Sequence, residues 1–180
     1  MFSIIVFLLM SIQCFSQNET YYIDNGIISF RSEAQQELIK ASSGSLLGLI
    51  EPAKRTFVFK VLIRTFKGFN SALQQEHFNE KYLESERYPE ATFVGKIIED
   101  IDLTIDGKYE LRAKGKLNIH GVEVDRIIKG AVTVTNGFIH IESHFNILLS
   151  EHNIKIPKVV HEKIASEILV DLNADLTKKK

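Results

Sequence analysis

The chain has very little cysteine, no marked excess of either charge and no long hydrophobic run, and each shortage removes a class of function. Cys14 is its only cysteine, so neither a disulfide framework nor a zinc site built on paired thiolates is available. A formal net charge of −1 gives no electrostatic footprint for nucleic acid. The three lysines that end the chain, Lys178, Lys179 and Lys180, read as a solvated tail. The sequence also contains no Gly-rich phosphate loop, no nucleophile elbow and no paired-histidine helix motif. With no positioned nucleophile or acid–base pair, nothing points to an enzyme.

The longest apolar run, the uncharged Phe2 to Met10, is too short to span a bilayer. It is followed by Ser11 to Ser16 and then by the polar Gln17-Asn18-Glu19-Thr20, the pattern of a secretory signal peptide over residues 1–16. Cys14 and Ser16 supply small residues three and one positions before a cut ahead of Gln17, whereas the bulky Gln13 argues against lipid attachment at Cys14. The expectation is a periplasmic or secreted protein with one domain over residues 17–180. At 44% hydrophobic and 25% charged residues, that length suffices for one core and is short for two.

Alternation is the strongest signal in what remains. Tyr109, Leu111, Ala113, Gly115, Leu117 and Ile119 share one face, with Lys108, Glu110, Arg112, Lys114, Lys116 and Asn118 on the other. Further strands are predicted over Ile27–Arg31, Leu38–Ser42, Leu46–Ile50, Thr56–Thr65, Ala91–Glu99, Val122–Thr135, Phe138–Leu149 and Ile168–Leu176. Ser42-Ser43-Gly44-Ser45 reads as a break between the second and third of these. Asp106-Gly107 and Asn136-Gly137 read as two-residue hairpin turns, and Glu51-Pro52-Ala53-Lys54 as a tight turn. One helix, capped by Asn70 or Ser71 and running to about Leu83, ends before Pro89. About eight antiparallel strands with one inserted helix predict an all-β, lipocalin-like up-and-down barrel.

Small residues interrupt the predicted inner faces: Gly95, Ala113 with Gly115, Gly130, Ser143 and Ala174. An eight-stranded barrel is either filled by side chains or holds one small ligand, so these gaps predict a cavity, although each glycine could instead serve a bulge or bend. Parity places Phe57, Phe59, Phe93, Leu111, Leu117, Val132, Phe145 and Ile147 along the cavity wall, with Ala113, Gly115 and Gly130 making space. Arg126 has two readings. Unbroken alternation aims its guanidinium inward, where a carboxylate, a carbonyl or a ligand headgroup must meet it, while a bulge would turn it outward beside Asp125. His140 and His144 lie on one outer side about 13 Å apart at the extended-strand rise, too far to share a metal ion directly. His120, His152 and His161 read as ordinary surface histidines, so no metal site is assigned.

The run Gly115-Lys116-Leu117-Asn118-Ile119-His120-Gly121-Val122 resembles the Gly-x-Leu-x-Ile-x-Gly-Val strand and turn of the YceI-like family of polyisoprenoid-binding proteins. Upstream, His77-Phe78-Asn79-Glu80-Lys81-Tyr82-Leu83 followed by Tyr88-Pro89-Glu90-Ala91-Thr92-Phe93 is similar to that family's helix and Tyr-Pro-x-x-x-Phe segment. Tyr22-Ile23-Asp24 and Ile154-Lys155-Ile156-Pro157 fall in the same order, so the likeness spans about Tyr21 to Leu176. Tyr82-Leu83 stands where the family has Phe-Phe, Ser85 where it has an apolar residue, and Tyr-Tyr where Trp is common. These departures bear on the ligand more than on the fold.

The resemblance implies an exported, non-enzymatic barrel that carries an isoprenoid quinone, a polyprenyl chain or a similar amphiphile. Its ligand would be an isoprenoid or acyl-chain lipid, with no cofactor, and Arg126 is the candidate headgroup contact. Transient membrane contact and a homodimer are compatible with such a carrier. The other reading is an exported interaction module with a filled barrel that binds a protein or an envelope component.

Overall fold

The computed structural model describes residues 19–179, so the leader assigned to residues 1–16, Cys14 included, lies outside the described residues. Eight strands, β1 (Tyr21–Glu33), β2 (Leu38–Glu51), β3 (Thr56–Leu62), β4 (Glu90–Ile97), β5 (Gly107–Ile119), β6 (Val122–Thr135), β7 (Phe138–Leu148) and β8 (Glu167–Lys178), follow one another around a closed barrel. Every neighbouring pair is antiparallel, and β8 returns to pair with β1. Closure leaves no sheet edge unpaired from end to end, and it turns one face of each strand inward, as the alternation requires.

The single helix, α1 (Ala72–His77), lies between β3 and β4. The Ser71 side chain caps it by accepting from the Gln74 backbone N–H at 3.2 Å. The helix is shorter than the expected span to Leu83 because its continuation, Phe78–Tyr82, widens into a π turn.

Two other expectations need correction. The serine-rich stretch Ser42-Ser43-Gly44-Ser45 does not break the chain, since β2 runs straight through it while paired with β1. Ser43 is buried there with its hydroxyl 2.6 Å from that of Thr65, so a satisfied hydrogen bond replaces the turn its composition favours. Asp106-Gly107 is not a two-residue hairpin either. A loop over residues 98–106 joins β4 to β5, and the Asp106 carboxylate instead accepts from the Asn136 backbone N–H at 3.1 and 3.2 Å. The two-residue turns with both φ values positive are Asn136-Gly137, as expected, and His120-Gly121 between β5 and β6.

These connections give the barrel two unlike ends. Near the Asn136-Gly137 turn, Leu46, Leu103, Val134, Ile139 and Leu176 are almost wholly buried in one cluster, with Leu103 delivered by the 98–106 loop. At the opposite end lie α1, the β1–β2 turn and the long connection from β7 to β8. Two neighbouring pairs are joined over only part of their length, β2 with β3 across Leu47–Glu51 and β6 with β7. β6 and β7 pair only from Ala131–Thr135 to Phe138–Glu142, and their remaining lengths part toward the helix end. The single 3-10 turn Leu149–His152 fills the far end of this seam.

Candidate binding cavity

The inward side chains leave two adjoining chambers. The inner one, of about 120 Å³, is lined mainly by apolar groups from all eight strands and floored by Leu103 and Leu46. The outer one, of about 480 Å³, opens at the helix end and is of the size of small-molecule sites in general. Ile28, Val61, Ala91, Leu117 and Phe145 belong to the walls of both, so the chambers lie against one another inside the barrel.

Of the residues placed on the wall by parity, Phe57, Phe59, Phe93, Leu111, Ala113, Leu117, Val132 and Phe145 line the inner chamber, as does Gly130. Leu117, Phe145 and Ile147 line the outer one. Gly115 lines neither. It stands opposite Gly95 in the β4–β5 ladder, and a Cβ on it would meet the Val94 carbonyl oxygen at 2.3 Å. Its small size lets two backbones approach rather than opening space in the cavity. Gly130 has only ordinary contacts at its Cβ position, the nearest being the Glu142 carbonyl oxygen at 3.4 Å, so the missing side chain there does leave room.

Alternation hid a group of four aromatic residues. Phe30 of β1, Phe66 and Phe69 of the segment before α1, and Phe78 at the helix end pack together around the outer chamber, with Phe30 and Phe78 stacked 5.4 Å apart and Phe69 5.0 Å from Phe78. Nothing periodic links these positions; the crowding of phenylalanine at 66, 69 and 78 is the sole trace in the sequence. Toward the mouth, Glu37 accepts from Gln74 Nε2 at 2.9 Å and from Asn70 Nδ2 at 3.3 Å. His77, Lys163 and Tyr82 complete that rim, and burial raises the pKa of the Tyr82 phenol above its ordinary value, which keeps it a neutral hydroxyl.

Arg126 lines neither chamber. The β5–β6 ladder passes it without a bulge, so it keeps the inward parity and is not turned out beside Asp125. Where β6 has parted from β7, its guanidinium spans the opening, donating to the Asn146 carbonyl at 2.6 Å and to the Glu151 carboxylate at 3.0 Å. Ser143 makes a second bridge by donating to the Lys129 carbonyl at 2.6 Å.

Below the mouth the segments around Tyr88 and Gly121 meet. The Tyr88 ring lies on Gly121, whose φ of +71° and lack of a Cβ are both required there, and it makes an edge contact with the His120 ring at 4.7 Å. His120 spans from the His152 carbonyl to the Glu84 carboxylate, at 3.1 and 2.9 Å. His152 is not a surface histidine. It is 1% exposed, donates from Nδ1 to the Val122 carbonyl, and is held below the usual imidazole range by burial. His140 and His144 sit outside the barrel against Asp175 and Asp171. Among the described residues no three His, Cys, Asp or Glu side chains converge in a geometry suited to a metal ion.

A closed eight-stranded antiparallel barrel around an apolar channel defines a class of small binding proteins whose interior, rather than a loop cluster, receives the ligand. The YceI-like domain matches residues 28–176, and the chain belongs to that family. Solved structures of the same fold include a polyisoprenoid-binding domain from Saccharophagus degradans, with 12% identity, 91% of this chain and 100% of that one covered, and a TM-score of 0.76. BcnA of Burkholderia cenocepacia gives 16% identity, 84% and 96% coverage and a TM-score of 0.70. A YceI protein of Campylobacter jejuni gives 12% identity, 99% and 94% coverage and a TM-score of 0.57. No curated protein matches the sequence significantly.

Proposed function

We propose that this protein is an exported, non-enzymatic carrier of one long apolar lipid, an isoprenoid or acyl chain lying along the channel with its polar end at the helix-side mouth. The observation that carries this reading is the pair of adjoining, largely apolar chambers inside the barrel, the smaller deeper than the larger, a lining that suits a chain inserted tail first. Each CH2 group moved from water into such chambers contributes about 0.8 kcal/mol, so several isoprene units suffice for tight binding without polar recognition. The name of the Saccharophagus degradans relative supports the isoprenoid option. Export rests on the apolar leader of residues 1–16 and is checked by sequencing the amino terminus of the mature protein.

A filled-barrel interaction module is less well supported, because the outer chamber alone holds about 480 Å³. The deciding experiment is organic extraction of protein purified natively from its own host, followed by mass spectrometry of the extract. A stoichiometric long-chain lipid is expected. A uniform unliganded mass, under conditions that preserve cargo in known lipid carriers, would sink the proposal.

A further inference from the structure

We infer that the outer face of β4, β5 and β6 is a docking surface for an anionic lipid bilayer. Lys96 faces Lys114 directly across the β4–β5 ladder, and Arg112 faces Lys129 across β5–β6. Like charges set opposite one another destabilise a sheet, so the Lys96–Lys114 pair, with Lys129 on the next strand, is a local excess of positive charge that the fold itself does not need. Neighbouring basic groups are neutralised: Arg112 binds Glu99, and Lys116 reaches Glu123 and Asp125. Among the described residues, Lys96, Lys114 and Lys129 pair with no carboxylate. The chain's formal net charge is −1, so these three lysines are a local cluster and not general basicity, on a face that also carries Glu110, Glu123 and Asp125.

The occupant follows from what lies between the lysines. Ile127, directly opposite Lys114, is 57% exposed, and Val94, beside Lys96 on the same outer face, is 46% exposed. Cationic groups interspersed with apolar ones suit the boundary between lipid headgroups and acyl chains, where ammonium groups meet phosphates and side-chain carbon leaves water. Lys129 also lies on the part of β6 that has left β7 and contributes to the wall of the inner chamber. Docking on this face therefore holds the β6 edge of the seam against the membrane. The choice of a bilayer over an acidic protein rests on the carrier reading, but binding to vesicles is measured without cargo, so the two can fail separately.

The test is flotation of the full chain with phosphatidylcholine vesicles that contain or lack phosphatidylglycerol. The segment from Phe2 to Ser16 carries no ionised side chain and the Met1 amino group is the same in every variant, so any binding the segment causes is common to all of them. Binding to the anionic vesicles is expected, weakened by added salt. The triple variant Lys96→Gln/Lys114→Gln/Lys129→Gln should lower that partitioning roughly a hundredfold, given what each lysine contributes near such a surface. Ile127→Ser should lower it further with the charge unchanged. A second triple variant, Lys40→Gln/Lys67→Gln/Lys81→Gln, removes the same charge elsewhere and should have a much smaller effect. Equal losses from the two triples, or equal binding to neutral and anionic vesicles, would overturn the inference, as would no binding at all.

Discussion

Gly115 and Ala113 are two residues apart on the same face of β5, yet they do different things. A methyl group on Gly115 would collide with backbone that cannot retreat without parting β4 from β5, so Gly115→Ala should cost about 1–3 kcal/mol, read by urea denaturation. Ala113 lines the inner chamber, so Ala113→Leu should keep the barrel folded, as circular dichroism would show, while the extracted lipid falls well below one per protein. His152 makes a prediction in pH. Burial lowers its folded pKa below the ordinary 6.5, so its neutral form contributes stability above that value, and this is lost as pH falls through 6.5 toward the depressed value. His152→Gln should flatten that part of the acid limb in melting curves taken between about pH 7 and 5. At this scale the sequence disclosed wall positions well, because parity along a strand is a local property. It disclosed neither the Gly95–Gly115 apposition nor the Phe30, Phe66, Phe69 and Phe78 group, since each depends on elements that meet only in the folded chain.

Among the elements, the turns show most clearly how local preference and long-range pairing compete. Asn136-Gly137 forms the two-residue turn its composition favours, whereas Asp106-Gly107, of equal promise, is absorbed into the end of a loop whose Leu103 plugs the barrel floor. The His120-Gly121 turn has no comparable local signature, because histidine seldom adopts the left-handed conformation and is held there by contacts with Glu84, Tyr88 and His152. Gly121→Ala combines a positive φ with a clash against the Tyr88 ring, and a loss of at least 1–3 kcal/mol is expected in thermal or urea unfolding. Ser71→Ala removes the cap of a short exposed helix at the channel mouth and should cost about 1 kcal/mol or less.

Over the whole molecule, closure distributes stability around a ring, but the ring is uneven. β5 and β6 are paired along nearly their full lengths, whereas β6 and β7, with 14 and 11 residues, share only five residue pairs. Arg126→Met keeps the length of the side chain and removes the guanidinium bridge to Asn146 and Glu151. Faster hydrogen exchange at the amides of β6 and β7 that face the opening is expected, along with quicker release of a fluorescent long-chain probe and little change in the melting profile. The barrel itself was readable from the strand count and hairpin signals, and the family markers fell in the expected order. The seam was not, because nothing in the local pattern of Val122–Thr135 or Phe138–Leu148 records where two strands stop touching.

That parting gives the cylinder an adjustable joint. Where neighbouring strands are paired throughout, an increase in girth would tear backbone hydrogen bonds already formed, whereas along the parted lengths of β6 and β7 it stretches the side-chain bridges of Arg126 and Ser143. A stouter or more branched guest would thus be accommodated by the spreading of these two staves, within the reach of one guanidinium.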